Sequence, residues 1–199
     1  MAYEEVTASG LVKIDTDGNV IDPGHAPEPF TGRVNLAGFV IHSAIHSARE
    51  DAVCVMHAHP DSVVSVSAMP DGLLPVGQAY YALGDVTYHD YEGLAVSMAE
   101  RETLARDIGS TSKVLMLRNH GVLTLGGTVG EAWTKMYFCI RACEHQVGAM
   151  SAGKLILPPK EVSEAATRTA LAFNSEGMGY LEFEAMKRRL NRKDNSYAV

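Results

Sequence analysis

Residues 52–60 read AVCVMHAHP and residues 113–121 read KVLMLRNHG. Each is a short apolar β-type run that arrives at histidine: His57 and His59 close the first, and His120 follows the second. Side chains alternate across a strand, so His57 and His59 point to one face. Two imidazoles on one face offer their lone pairs to one ion. If the two strand ends meet, His120 adds a third nitrogen and leaves a position open for water or substrate, the ligand layout of a catalytic zinc. Spacing does not show that the strands meet. It also leaves a rival pair, His42 and His46, four apart on a helix as in zinc-binding helices but with no intervening Glu. On a helix that is apolar nearly all round, these two read as packed or supporting histidines. His25, His89 and His145 receive no role from spacing.

Working outward, Asp17-Gly18-Asn19 is a hairpin signal between the runs at 11–14 and 20–21. Residues 22–34, rich in Pro and Gly, read as an ordered surface loop. Asn35 caps an expected helix from Leu36 to Arg49, and Pro60 opens a short one from Asp61 to Ala68. Residues 85–91 (DVTYHDY) have strand character, and Ser97 to Ile108 reads as an amphipathic helix. Val122 to Leu125 continues as a strand beyond Gly121. Thr128 and Glu131 fit a capping box. A three-to-four-residue apolar period from Val129 to Met150 then predicts a long packed helix to about Ala152. Pro158-Pro159 breaks the chain, and two more helices follow, separated by Glu176-Gly177-Met178-Gly179. Hairpin signals mixed with long helices predict an α/β sandwich with a largely antiparallel or mixed sheet.

The 199 residues, 46% of them hydrophobic, suit one domain with a substantial core, residues 154–199 forming a C-terminal helical segment. A net charge of −7 argues against nucleic acid as the main partner. The basic run Lys187, Arg188, Arg189, Arg192 and Lys193 reads as a solvated helix face. Cys54, Cys139 and Cys143 form no paired framework, which points to reduced thiols and a cytoplasmic home. No apolar run reaches the roughly 18 residues of a membrane span, and residues 1–10 lack a signal pattern.

Met56-His57-Ala58-His59 and Arg118-Asn119-His120-Gly121, each after an apolar strand and in this order, resemble the two metal motifs of the class II aldolase/adducin family. Asn35 to His42 is similar to the helix before the first motif, and Thr128 to Gln146 to the helix after the second. The resemblance covers roughly Thr7 to Gly153, with a looser match at Tyr180 to Tyr197. It implies a three-layer α/β/α sandwich around a mostly antiparallel central sheet, a divalent metal on His57, His59 and His120, and a homotetramer with small-molecule substrates. Zn²⁺ is the first choice on ligand type, with Fe²⁺ or Mn²⁺ as alternatives. The implied activity is a metal-dependent carbon–carbon lyase working through a metal-stabilised enediolate. The alternatives are an iron-dependent oxygenase or decarboxylase on the same histidines, or an adducin-like interaction module without turnover.

Two departures qualify the resemblance. The family's aldolases place an acidic residue one helical turn before the position of His42, and here that position is Gly38. The proton must then move through another group; Tyr80, Tyr81, Tyr88, His89 and Glu92 are the candidates, each also readable as structural. The family domain also begins well before the segment matching Thr7. The chain is therefore expected to be N-terminally short and to lack the loops that hold a substrate phosphate, with weak or no cleavage of sugar phosphates.

Overall fold

The computed structural model describes residues 3–94, 97–173 and 177–199. A four-stranded sheet forms its centre: β3 (Cys54–Ala58), β6 (Gly121–Gly126), β5 (Val114–Leu117) and β4 (Val86–His89), in that spatial order. β6 runs antiparallel to both β3 and β5, and β4 runs parallel to β5. The sheet is thus mixed rather than mostly antiparallel. The reason lies in the connection: parallel neighbours need a crossover, and α4 (Glu100–Ile108) supplies it between β4 and β5.

β5 and β6 are buried along their whole length, which is why they read as unbroken apolar runs rather than alternating ones. Alternate residues still go to opposite layers. Leu115, Leu117, Leu123 and Leu125 share one cluster with Ile41 and Ile45 of α1 (Leu36–Ala48) and with Leu104 and Ile108 of α4. Val114, Met116 and Val122 face the other way, into a cluster with Val63 and Val66 of α2 (Asp61–Ser67) and Leu83 just after α3 (Gln78–Tyr81). Met136, Cys139 and Cys143 of α5 (Val129–Ala152) complete that layer. Helices on both faces of one sheet make the three-layer α/β sandwich. Full burial of one such Leu, Ile or Val stabilises the fold by about 1.5–3 kcal/mol.

Local signals act as the sequence predicts at most boundaries. The Asn35 side chain accepts from the Gly38 N–H at 3.3 Å, and Thr128 Oγ1 accepts from the Glu131 N–H at 3.0 Å. The Glu131 carboxylate, however, takes the Gly127 N–H at 2.9 Å and pairs with Lys113 instead of closing the box on Thr128. The Asp15 carboxylate accepts from the Asp17 and Asn19 N–H groups and so holds the turn between β1 (Lys13–Ile14) and β2 (Val20–Asp22). Phe39 of α1 packs beneath that hairpin at Gly18. At the far end of α1, the buried Arg49 guanidinium grips Asp51 and donates to the Gly109 and Ser112 carbonyls, tying α1 to the α4–β5 turn. The four-residue α3 is too short to show a period and was not expected.

After Pro158-Pro159 come α6 (Lys160–Phe173) and α7 (Tyr180–Lys193). Of the break expected between them, Glu176 lies outside the described residues, while Gly177 to Gly179 form a turn. α7 lies on α5, where Gly130 and Gly179 meet backbone to backbone. Neither α6 nor α7 buries a residue fully. No helix among the described residues is long and apolar enough to cross a membrane.

Candidate metal centre

The sheet order decides which chain ends share a neighbourhood. β3 and β5 are both antiparallel to β6, and β4 is parallel to β5. The carboxyl ends of β3, β4 and β5 therefore lie along one edge. His57 is the fourth residue of β3 and His59 follows its end. His120 belongs to the tight turn between β5 and β6, whose Asn119 adopts φ 56°. Asn tolerates that left-handed conformation better than most side chains. The turn is closed by the His120 N–H donating to the Leu117 carbonyl at 3.1 Å.

Because β6 pairs with β3, the start of one lies against the end of the other: Ala58 is opposite Val122. Gly121 is what allows this approach. A Cβ there would stand 2.5 Å from the Ala58 carbonyl oxygen and 2.7 Å from His59 Cδ2. The glycine of Arg-Asn-His-Gly is thus a contact with the His-Ala-His segment.

The three imidazoles converge. Ring centroids are 4.5 Å apart for His57–His59, 5.0 Å for His57–His120 and 4.7 Å for His59–His120. One nitrogen from each lies within 4.8 Å of the others. His57 Nδ1 is 3.0 Å from the Val122 carbonyl, so Nδ1 carries the hydrogen and Nε2 presents its lone pair. That Nε2 is 2.8 Å from His59 Nε2. Burial pushes His57 down to about 4; the Val122 hydrogen bond opposes this, and His120, His59 and His42 add to it. Burial, followed by His59 and His89, also lowers His120. Three imidazoles that converge in this way, two of them lowered by burial, are a donor set that fits a divalent ion of borderline softness.

The cavity over this cluster holds about 780 Å³, within the size range of small-molecule sites. Its polar lining besides the three histidines is Asn35, His42, Tyr91 and Asn119, with Gly38 at the first turn of α1. His42 is lowered by burial and then by His46, and it stands beside the cluster rather than in it. His46 turns away, its Nδ1 2.7 Å from the Ala52 carbonyl.

The candidate proton-transfer groups go elsewhere. Tyr80 and Tyr88 pack into the α2–α3–α5 layer, on the face of the sheet opposite His57, and Tyr81 lines a separate cleft between α3, α5 and α6. The Tyr88 hydroxyl accepts from the Leu73 N–H, and Arg118 stacks on its ring at 4.3 Å. Arg118 also donates to the Met69 carbonyl at 2.6 Å, so it anchors the α2–α3 loop. His89 is buried against α4, Nδ1 2.8 Å from Asp107 and Nε2 3.5 Å from Glu100. Glu92 is exposed and outside the cavity lining. The tyrosine that does line the cavity is Tyr91, which reads in the sequence as the last residue of a strand. β4 stops at His89, two residues earlier, so Tyr91 leaves the sheet at the edge where the histidines gather. The parallel pairing of β4 and β5 is the signal that finds it, and that pairing is a tertiary fact.

The family model described as Class II Aldolase and Adducin N-terminal domain matches residues 1–147. A protein of Caulobacter vibrioides, provisionally named as an aldolase class 2 protein, is 45% identical over 100% of this chain and 75% of its own length. Alpha-adducin of Mus musculus is 40% identical over 96% of this chain, which spans only 27% of that protein. Among solved structures, an L-fuculose 1-phosphate aldolase from Glaciozyma antarctica PI12 superposes with a TM-score of 0.80 at 26% identity, covering 100% of this chain and 75% of the other.

Proposed function

The chain belongs to the class II aldolase and adducin N-terminal domain family, and from that premise we propose that it is a metal-dependent carbon–carbon lyase acting on a small hydroxycarbonyl compound. The observation that carries the reading is the convergence of His57, His59 and His120 in an open cavity. These three residues would hold the ion, with zinc the first choice on ligand type. When bound, such an ion supplies Lewis acidity toward an oxygen of the substrate.

The chain's own residues do the rest. Val122 fixes the His57 tautomer through its carbonyl. Asn35 and Asn119 offer amide groups to substrate hydroxyls, and Tyr91 offers a phenol for proton exchange at the reacting carbon or oxygen. Gly38 contributes no acid. The active form is proposed to be a homotetramer. The apolar side chains left in solvent on α6 and α7, among them Phe173 at 86% and Leu181 at 73% exposure, support self-association.

Elemental analysis of protein purified without chelators tests the site: about one divalent ion per chain is expected, and unchanged content in a His57→Ala/His59→Ala variant refutes it. A retro-aldol assay with hydroxycarbonyl substrates, comparing wild type with Tyr91→Phe, tests the chemistry; loss of a positioned acid/base costs about 10²–10⁴ in rate. A second reading, an interaction module without turnover, draws on the 40% identity to alpha-adducin. It predicts no turnover with any metal supplied.

A further inference from the structure

We infer that the three-histidine cavity continues into a second, apolar pocket, and that the substrate is an unphosphorylated hydroxycarbonyl compound with an apolar arm lodged there. The inference rests on the function proposed above and names its substrate class. The second pocket, of about 580 Å³, lies between the β1–β2 hairpin and α1, with Ile14, Val34 and Phe39 among its walls. Asn35, Gly38 and His42 line both this pocket and the histidine cavity, so the two meet over the first turns of α1.

Gly38 sits at the junction. A Cβ placed there would meet only the Asn35 side chain, at 3.8 Å, so the space above it is open. Any larger residue at 38 projects its side chain into the passage. The absence of an acid at this position therefore has a structural counterpart: the backbone leaves room for a ligand to cross.

Charge decides what crosses. Neither lining contains a Lys or Arg. Among the described residues, the one ionised wall is the Asp15 carboxylate, already held by the hairpin turn, and its sign repels phosphate. The amino end of α1 faces the junction, but the Asn35 side chain occupies the Gly38 N–H. A phosphate buried without a cation loses hydration with little in return, whereas an alkyl or aryl arm against Ile14, Val34 and Phe39 gains from leaving water.

The probes are hydroxyacetone, 1-hydroxy-2-butanone, 1-hydroxy-2-hexanone, 1-hydroxy-2-octanone and dihydroxyacetone phosphate. Each is titrated calorimetrically into zinc-loaded and zinc-stripped protein. Affinity is expected to rise about fourfold per buried methylene, so that the octanone, five methylenes longer, binds on the order of a thousandfold tighter than hydroxyacetone in both forms. Ser47→Trp fills the pocket from its far wall and is expected to flatten the dependence on length; its circular dichroism melt confirms that it is folded. A flat series in zinc-loaded protein that does bind hydroxyacetone overturns the apolar arm and leaves the proposed lyase standing. Tighter binding of dihydroxyacetone phosphate than of the octanone also overturns it. A rising series in stripped protein, together with a zinc content of the purified protein that the histidine variants leave unchanged, supports the pocket while refuting the metal site.

Discussion

Replacing Gly121 by alanine adds one methyl group at the point where β6 crosses the end of β3. That methyl would lie 2.5 Å from the Ala58 carbonyl oxygen and 2.7 Å from His59 Cδ2. A relaxed carbon–oxygen contact is about 3.3 Å, so the β3 end must retreat by about 0.8 Å. The obstacle is backbone and cannot rotate away. Overpacking of this kind costs about 1–3 kcal/mol. The same shift carries His59 beyond the ~0.5 Å tolerance of a working site, and zinc affinity should fall about 10–100-fold, as when a ligand loses its support. Gly148→Ala in α5 is the control, because nothing lies within 4 Å of its Cβ position; there alanine should be neutral or stabilise by up to ~1 kcal/mol. Urea unfolding of the metal-free proteins and competition for zinc against a chromophoric chelator measure the two effects. A Gly121→Ala protein with wild-type stability and wild-type zinc affinity would refute the close approach of the two histidine segments.

Metal-free protein should lose stability as pH falls from about 6.5 to 4. His57 is held down to about 4 from 6.5 by burial, so the unfolded chain binds the extra proton in this window, and the loss approaches about 3 kcal/mol. Chemical denaturation across that range should show a smaller slope for His57→Gln, and equal slopes contradict the assignment. Gly38→Glu should raise retro-aldol turnover on a short hydroxycarbonyl substrate by about 10²-fold and lower affinity for the octanone; neither change in steady-state kinetics and calorimetry means that position 38 does not face the junction. Arg49→Ala should cost about 2–4 kcal/mol, because the Gly109 and Ser112 carbonyls lose their donor together with the Asp51 pair. A thermal melt within 2 °C of wild type would show that this tie is dispensable.

Much of the fold follows from short-range signals. Asn35, Pro60 and Thr128 start helices where their caps or fixed φ predict, the long period after Val129 gives α5, and Asp17-Gly18-Asn19 gives the β1–β2 hairpin. These are local events, settled by hydrogen bonds within a few residues and by apolar spacing. The pair His57 and His59 is equally local, since strand alternation alone puts two residues apart on one face. Strand pairing is not local. Which strand lies beside which depends on how buried faces share one core, and a run as uniformly apolar as β5 or β6 carries no mark of its neighbour or direction. The meeting of His120 with His57 and His59, the parallel β4 and the removal of Tyr80, Tyr81 and Tyr88 to the far side of the sheet were therefore decided only by tertiary structure. So was the place of Tyr91. The sequence determined which residues had metal-binding chemistry; the order of strands in the sheet determined which of them share an edge, because side chains far apart in the chain meet only where packing brings their strand ends together.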